Sequence, residues 1–318
     1  MSRALRWLAP LLLAAAGIAG CVKLDGFLFA GEDASLDDYD FTAEDLDGID
    51  PSRITSELIP SANPDTAIHV IYVERDEAEL DPRLADAGPI TVVFSHGNRG
   101  NMLLYWYRAG YFEDMGFNVL MYDYRGYGAS EGETTERHVY EDARTAYEYA
   151  LARDPGARII SVGYSMGGAP AIWLCSSETA PAPFACFTES AFSSVESIVQ
   201  EASAYDLPGQ WVADVAFDNL ARIATVKIPC LLMHGTQDLR VTFENGEDLW
   251  SAVEGNNPAN RFYPVKGAGH RNVPVPSYPG VTEPREYSHP DELPAYLEGE
   301  FQLYKGRIVD HVAAALGR

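Results

Sequence analysis

Gly163-Tyr164-Ser165-Met166-Gly167-Gly168 is the stretch that decides how the rest of this chain is read. Before it stands Arg158-Ile159-Ile160-Ser161-Val162, a β-branched apolar run with the character of a buried strand. After it comes Ala169-Pro170-Ala171-Ile172-Trp173-Leu174, a helical stretch that tolerates proline because Pro170 falls in its first turn. A Gly-x-Ser-x-Gly turn between strand and helix is too tight for side chains at its flanks. Gly163 and Gly167 therefore admit the crowded backbone, and Ser165 is pushed out on a strained corner with its hydroxyl exposed. The helix that begins there turns its free N–H groups toward the serine, where negative charge would develop. The pattern alone is short enough to arise by chance, and its strand and helix flanks are what give it weight.

Working outward, strand-like and helical segments alternate. Ile90-Thr91-Val92-Val93-Phe94-Ser95 is a continuous apolar run of the kind buried on both faces of a parallel sheet, and it ends in His96-Gly97-Asn98-Arg99-Gly100-Asn101. A helical stretch over Met102 to Met115 and a strand over Phe117 to Tyr122 follow. Thr135 to Arg153 reads as a long helix, with Val139, Ala143, Ala146, Tyr147 and Ala150 at helical spacing. Beyond the serine corner, Phe184 to Thr188, Cys230 to Met233 and Asn260 to Pro264 read as strands. Ser193 to Ile223 reads as a short, largely helical cap broken at Leu207-Pro208-Gly209, and Ala295 to Leu316 as the closing helix. Toward the N-terminus, Ile54 to Ile59 and Ala67 to Val73, separated by Asn63-Pro64-Asp65, predict an antiparallel hairpin. This alternation requires an α/β architecture, a mainly parallel sheet with helices on both faces.

In such a sheet the residues that follow each strand share one edge. Ser165, Asp238 and His270 all fall there: Asp238 after His234-Gly235-Thr236-Gln237, His270 after Val265-Lys266-Gly267-Ala268-Gly269. A serine hydroxyl is barely nucleophilic at neutral pH and needs a base such as histidine to take its proton. The histidine in turn needs a buried carboxylate to fix its tautomer and stabilise the imidazolium. Glu189, which follows the strand after the serine corner, is a rival for the acid, and His289, in proline-rich surroundings, a rival for the base. His96 and His234 read as turn residues, and Asp123 and Arg125 as a pair that holds its own turn.

The order Ser165, Asp238, His270, together with His96-Gly97-Asn98, Asp123-Tyr124-Arg125-Gly126-Tyr127-Gly128, His234-Gly235-Thr236-Gln237-Asp238 and Gly269-His270, resembles the α/β-hydrolase superfamily from about Ile90 to the C-terminus. Within it the chain looks most like small bacterial serine hydrolases and the membrane-attached, depalmitoylase-like eukaryotic branch. The resemblance implies the eight-stranded-type sheet of that fold and an oxyanion hole made by the backbone N–H groups of Asn98 and Met166. Each such donor contributes roughly 3–4 kcal/mol to transition-state stabilisation. It also implies a serine hydrolase that cleaves an ester, thioester or amide of a small-molecule or acylated substrate through an acyl-enzyme, with no cofactor. Hydroxynitrile lyases and cofactor-free haloperoxidases use a similar triad. Dehalogenases and epoxide hydrolases of this fold place Asp at the nucleophile position, so Ser165 argues against them. A peptidase-type hydrolase, or a catalytically silent binding module displayed on a membrane, is the alternative. Nothing in the sequence specifies the acyl group, the leaving group or an oligomeric state.

The 318 residues are 47% hydrophobic and 22% charged, the balance of a globular protein. The formal net charge of -24 excludes nucleic acid as a partner, because no basic patch would offset that field. Residues 1–20 read as a leader: Arg3 and Arg6 form its positive start, and Leu8 to Ala19 is apolar but short for a bilayer span. The run Ile18-Ala19-Gly20-Cys21 resembles the bacterial lipobox, which implies export to the cell envelope, facing the periplasm or the outside, with a multi-chain lipid anchor at Cys21. Residues 21–50, rich in Asp and Glu, are expected to be an acidic tether to the membrane, and 51–318 the catalytic domain. Cys175 and Cys186 are candidates for a disulfide, whereas Cys230 lies in an apolar strand and reads as a core residue. No Cys or His spacing points to a metal site. Arg271 to Pro294, with six prolines, reads as a stiff insertion beside His270, with Tyr278 and Tyr287 as apolar contacts for the substrate.

Overall fold

Side-chain alternation along the strands sorts the apolar residues onto two faces of one sheet. In a computed structural model that describes residues 29–39, 49–76, 79–176, 181–202, 215–274 and 295–318, the strands are β1 (Ala30–Gly31), β2 (Ile54–Pro60), β3 (Ala67–Val73), β4 (Ile90–Ser95), β5 (Arg99–Gly100), β6 (Asn118–Tyr122), β7 (Arg158–Tyr164), β8 (Ala185–Glu189), β9 (Cys230–Gly235) and β10 (Arg261–Val265). The helices are α1 (Tyr107–Glu113), α2 (Glu136–Arg153), α3 (Gly168–Ser176), α4 (Val195–Ala202), α5 (Asn219–Ile223), α6 (Phe243–Val253) and α7 (Ala295–Ala315). Val92 and Phe94 of β4, Val119 and Met121 of β6, and Ile160 and Val162 of β7 share one core layer with Phe112 of α1 and Phe301, Ile308 and Val312 of α7. Their neighbours Val93, Leu120 and Ile159 point the other way, onto Val139, Ala143 and Ala146 of α2 and Ala169 of α3. At the β9 end, Cys230 and Leu232 pack with Ile172 of α3 and Leu249 and Val253 of α6. Each Val, Ile, Leu, Met or Phe side chain taken fully out of water contributes about 1.5–3 kcal/mol, on both faces of the sheet.

The main sheet has eight strands in the order β10-β9-β8-β7-β4-β6-β3-β2. Strands β4, β6, β7, β8, β9 and β10 run parallel. The predicted hairpin β2–β3 joins them antiparallel, through β3 on β6. Every residue of β4 and β6 is buried, as a parallel strand covered on both faces demands. β2 and β10 at the sheet margins are half exposed. Strand β7, which carries the serine corner, lies in the middle between β4 and β8.

Two expectations are corrected and one open alternative is decided. The Met102–Met115 helix is split: Asn101 caps a 3-10 turn over Met102–Tyr105 through its side chain to the Leu103 N–H, and only Tyr107–Glu113 is α-helical. The turn after it is closed by Gly116 at φ 76°, where a side chain would collide with the Leu80 backbone. Cys175 and Cys186 do not form a disulfide; both are buried free thiols, as is Cys230, and Cys186 sits opposite Cys230 in the β8–β9 register. The tether reading of 21–50 fails for residues 29–39. β1 pairs in parallel with β5, and Tyr39, 3% exposed, sends its hydroxyl to Asp123 Oδ2 at 2.5 Å. A buried tyrosine ring and a strand pairing of this kind belong to a fold, not to a solvated linker. The leader with Cys21, the break at Leu207-Pro208-Gly209, and Tyr278, Tyr287 and His289 lie outside the described residues.

Candidate active site

The sharp turn after β7 has the strain that the glycines foreshadow. Ser165 has φ 53°, in the left-handed region that side chains avoid. A Cβ on Gly163 would lie 2.1 Å from the Gly167 carbonyl oxygen, and one on Gly167 would lie 1.9 Å from the Ser95 carbonyl oxygen. No side chain fits either place, so β7, the turn and the end of β4 are drawn together to the limit of backbone contact. Such strain persists only where the surrounding packing over-determines it. Ser165 itself opens onto a cleft.

The parallel sheet then brings its partners to the same edge. His270, five residues past the end of β10, places Nε2 2.9 Å from Ser165 Oγ. Its Nδ1 lies 2.8 Å from Asp238 Oδ2. Asp238 is 4% exposed, and its other oxygen accepts from the backbone N–H groups of Arg240 and Val241 at 2.9 and 3.0 Å. Burial pushes the Asp238 carboxyl up, but hydrogen bonds with His234 and His270, the attraction of His270 and the backbone donors outweigh it and hold the group well below the usual carboxylate range. A carboxylate fixed in the ionised form beside Nδ1 keeps the proton on that nitrogen and leaves Nε2 free to accept the serine proton. Tyr164 steadies the histidine: its hydroxyl donates to the His270 carbonyl at 3.2 Å, and its ring lies 5.3 Å from the imidazole.

Met166 is the second residue of the 3-10 turn Ser165–Gly167 that runs into α3, so its N–H is among the first of a helical segment, where no intrahelical acceptor exists. Asn98 follows β4. Its side-chain oxygen accepts from the Ala30 N–H at 2.8 Å and the Tyr127 hydroxyl at 3.2 Å, which fixes the loop that carries its backbone. His96, fully buried, stacks on Tyr105 and lies 3.2 Å from Asp123 Oδ1, while Asp123 also accepts from the Met102 N–H at 2.7 Å. Arg125 pairs with Asp142 at 2.7 Å and Glu141 at 2.8 Å. These groups build the turn and touch no reacting atom.

Glu189, the rival acid, is engaged elsewhere. Arg108 holds it with two hydrogen bonds, 2.6 and 2.9 Å, with both side chains 1% exposed, and Tyr304 of α7 donates to it at 3.0 Å. The guanidinium of Arg108 also lies 4.3 Å from the centre of the Tyr164 ring. The pair is a buried brace under the serine strand. His234, by contrast, stands 3.5 Å from Asp238 Oδ2 and bonds the Val241 carbonyl through Nε2 at 3.0 Å.

The cleft above Ser165 has a volume of about 240 Å³. One wall is apolar: Phe192, Val195, Ile198 and Phe217, from the segment between β8 and α5. Arg99, Arg240 and Arg271 also line it, with Asn98, Tyr105, Tyr164 and His270 among their neighbours, and no Asp or Glu is among the described lining residues. Sequence reading passed over this arginine set, and also over Ala30 and Tyr127 as supports of the loop that carries Asn98. Only the placement of Arg99 beside Asn98 and of Arg271 beside His270 hinted at the first.

This is the fold of the α/β-hydrolase superfamily, and comparison with known proteins agrees. Residues 89–205 match the family described as serine aminopeptidase, S33. The uncharacterized protein YfhR of Escherichia coli (strain K12) is 30% identical over 174 residues, covering 54% of this chain and 60% of that protein. Alpha/beta hydrolase domain-containing protein 17B of Homo sapiens is 31% identical over 191 residues, covering 58% of this chain and 61% of that one. The chain thus spans less than two thirds of the length of these relatives. Among solved structures, the Pyrococcus furiosus esterase Pf2001 superposes with a TM-score of 0.63 at 16% identity, over 90% of this chain and 97% of that one. An alpha-beta hydrolase from Vibrio vulnificus gives 0.58 at 18% identity, over 88% and 85%.

Proposed function

We propose that this protein is a serine hydrolase that cleaves a carboxylic ester or thioester through an acyl-enzyme. The observation that carries the reading is the relay of Asp238, His270 and Ser165, at 2.8 and 2.9 Å, on a serine held at φ 53°. Ser165 Oγ attacks the substrate carbonyl as its proton passes to His270 Nε2. The oxyanion that forms takes hydrogen bonds from the Met166 and Asn98 N–H groups. Collapse of this intermediate breaks the bond to the leaving group, which takes the proton from His270. Water then repeats the sequence on the acyl-enzyme, giving the acid and free serine. Asp238 keeps its charge throughout and stabilises the imidazolium.

An amide remains chemically within reach of the same triad, and the family match names an aminopeptidase. An aminopeptidase, however, must hold a free ammonium group, and for that it needs a carboxylate in the cleft. The described lining offers three arginines and no acid. This charge favours the ester or thioester over an N-terminal peptide bond.

The test is covalent labelling with a fluorophosphonate probe alongside turnover of p-nitrophenyl esters, thioesters and aminoacyl amides. The parent should label and should hydrolyse the esters. Ser165→Ala should lose both while its thermal unfolding stays close to that of the parent. Turnover by that variant within tenfold of the parent would refute Ser165 as nucleophile, and a parent that neither labels nor turns over would leave a binding module of the same fold. Export with a lipid anchor at Cys21, placing the domain on the outer side of a bacterial membrane, is part of the same proposal and rests on the lipobox-like run alone. Among the described residues no helix is long and apolar enough to cross a membrane.

A further inference from the structure

Cations are scarce in this chain, 23 Lys and Arg against 47 Asp and Glu. Under that excess of carboxylates many of the described arginines are held in ion pairs: Arg53 pairs with Glu113, Arg108 with Glu189, Arg125 with Asp142, Arg137 with Glu141 and Arg222 with Glu136. Arg99, Arg240 and Arg271 are not among them. None has a carboxylate within 4.0 Å among the described residues, and all three line the cleft that holds Ser165 and His270. Arg99 and Arg240 are exposed and Arg271 is half-buried. Three like charges brought to one small cleft repel one another, and in an acidic protein they would be relieved by any neighbouring Asp or Glu. Converging without such relief, they form a local anion site inside a field that is otherwise negative.

Their positions on the loops say which half of a substrate they face. Arg271 directly follows His270, and Arg240 lies in the turn whose N–H groups bind Asp238. His270 Nε2 must hand its proton to the leaving oxygen, so the leaving group departs past the loops that carry these two arginines. The acyl chain is left with the apolar wall of Phe192, Val195, Ile198 and Phe217. We propose that the substrate is an ester of an apolar acyl group whose leaving alcohol carries an anion, a carboxylate or a phosphate, bound by Arg240 and Arg271 with Arg99 alongside. The proposal rests on the serine hydrolase reading and names the substrate class for it. Arginine is suited to both anions, since its planar fork can bind two oxygens at once.

Matched ester pairs test it. The anionic para-butyryloxybenzoate is compared with neutral para-butyryloxybenzamide, and the butyrate ester of glycerol phosphate with the neutral glycerol monobutyrate. Phenyl hydrogen succinate against phenyl butyrate moves the anion to the acyl half. The quantity read is the anionic-to-neutral ratio of kcat/KM within each pair. In the parent the ratio should exceed one for the first or second pair, identifying carboxylate or phosphate, and should not for the third. In the double variant Arg240→Gln/Arg271→Gln the ratio should fall roughly tenfold, the sum of two partly exposed charge-assisted contacts. Arg240→Lys/Arg271→Lys should recover part of it, which mere loss of packing would not allow. A ratio at or below one for the first two pairs, a ratio unmoved by the Gln variant, or a preference confined to the third pair overturns the proposal while the neutral esters still report a working hydrolase. Failure to turn over any ester, with no probe labelling, overturns both.

Discussion

Replacing Glu189 by Gln separates two readings of the carboxylates near the serine strand. The Glu189 carboxylate is out of water, held by two Arg108 donors at 2.6 and 2.9 Å and by the Tyr304 hydroxyl at 3.0 Å. In the variant the guanidinium of Arg108, 1% exposed, remains charged with a neutral amide in place of its counter-ion. Breaking one side of a buried pair costs about 3–5 kcal/mol, because the remaining charge is uncompensated. Glu189→Gln should therefore lower the denaturation free energy by about that amount, read from the midpoint and slope of a urea titration. Removing the charge as well, in Arg108→Met/Glu189→Gln, should recover much of the loss, since no ion is then left buried. Turnover of a p-nitrophenyl ester, measured well below the unfolding transition, should stay within tenfold of the parent. Asp238→Asn should act foremost on turnover, lowering kcat by about 10⁴-fold, the loss seen when a triad keeps its shape but holds the wrong tautomer. If Glu189→Gln slows the folded enzyme more than Asp238→Asn does, the acid assignment is refuted. A stability loss under about 1 kcal/mol would refute the brace.

Two further expectations are simple to check. His69 is fully buried on β3, and burial drives its pKa down to about 4 against the weaker upward pull of Asp123. Because the ordinary value is 6.5, the unfolded chain takes up a proton between pH 6.5 and about 4 that the folded chain refuses. The stability held above pH 6.5 should thus drain away through that window, by about 2 kcal/mol at a pH near 5. Asp142, raised to about 6 by burial against the pull of Arg125, acts in the opposite sense, so the difference between parent and His69→Gln in urea titrations is the measure. A variant with the parent's slope against pH would exclude His69 as a source of acid lability. As for Cys21, mass spectrometry of the mature N-terminus of bacterially expressed protein should find it diacylated, with Cys21→Ser blocking the attachment; an unmodified N-terminus at another residue would rule the anchor out.

How much of this was legible in the chain follows from the range of the forces involved. The central strands were readable because a parallel strand buried on both faces is a largely apolar run, and Ile90 to Ser95, buried throughout, is apolar save for Thr91 and Ser95. The serine corner was readable because Gly163 and Gly167 answer a steric demand local to the turn. The rule that parallel strands end on one edge placed Asp238 and His270 near Ser165, but it admitted Glu189 as well, and the motif context around Asp238 was needed to choose between the two acids. The two-residue pairing of β1 with β5 has no such signature. It joins Ala30 to Arg99 across a long stretch of chain, and the acidic composition around it spoke for a solvated tether. Arg108 and Glu189 are likewise distant in sequence, and neither residue type shows from its neighbours that it is buried. The split of the Met102–Met115 helix turned on Asn101, whose side chain offers the backbone an alternative to continuing the α-helix.

The loop that carries Asn98 ties the N-terminal stretch to the proposed chemistry. A donor contributes to catalysis only if it is aimed beforehand at the place where charge will appear. The loop 96–101 leaves the sheet at β4 and has no regular structure of its own beyond β5. Its orientation comes from outside. Ala30 donates to the Asn98 side chain, the Glu32 N–H donates to the Gly100 carbonyl at 3.0 Å, and Gly128 donates back to the Glu32 carbonyl at 2.9 Å. Tyr39, a few residues on, reaches Asp123, which in turn receives the Met102 N–H at the end of the same loop. Residues 29–39 thus hold both ends of the segment that carries Asn98. The domain that works as a unit therefore begins before residue 51, and the acidic stretch that looked like a spacer supplies part of the rigidity on which the proposed oxyanion hole depends.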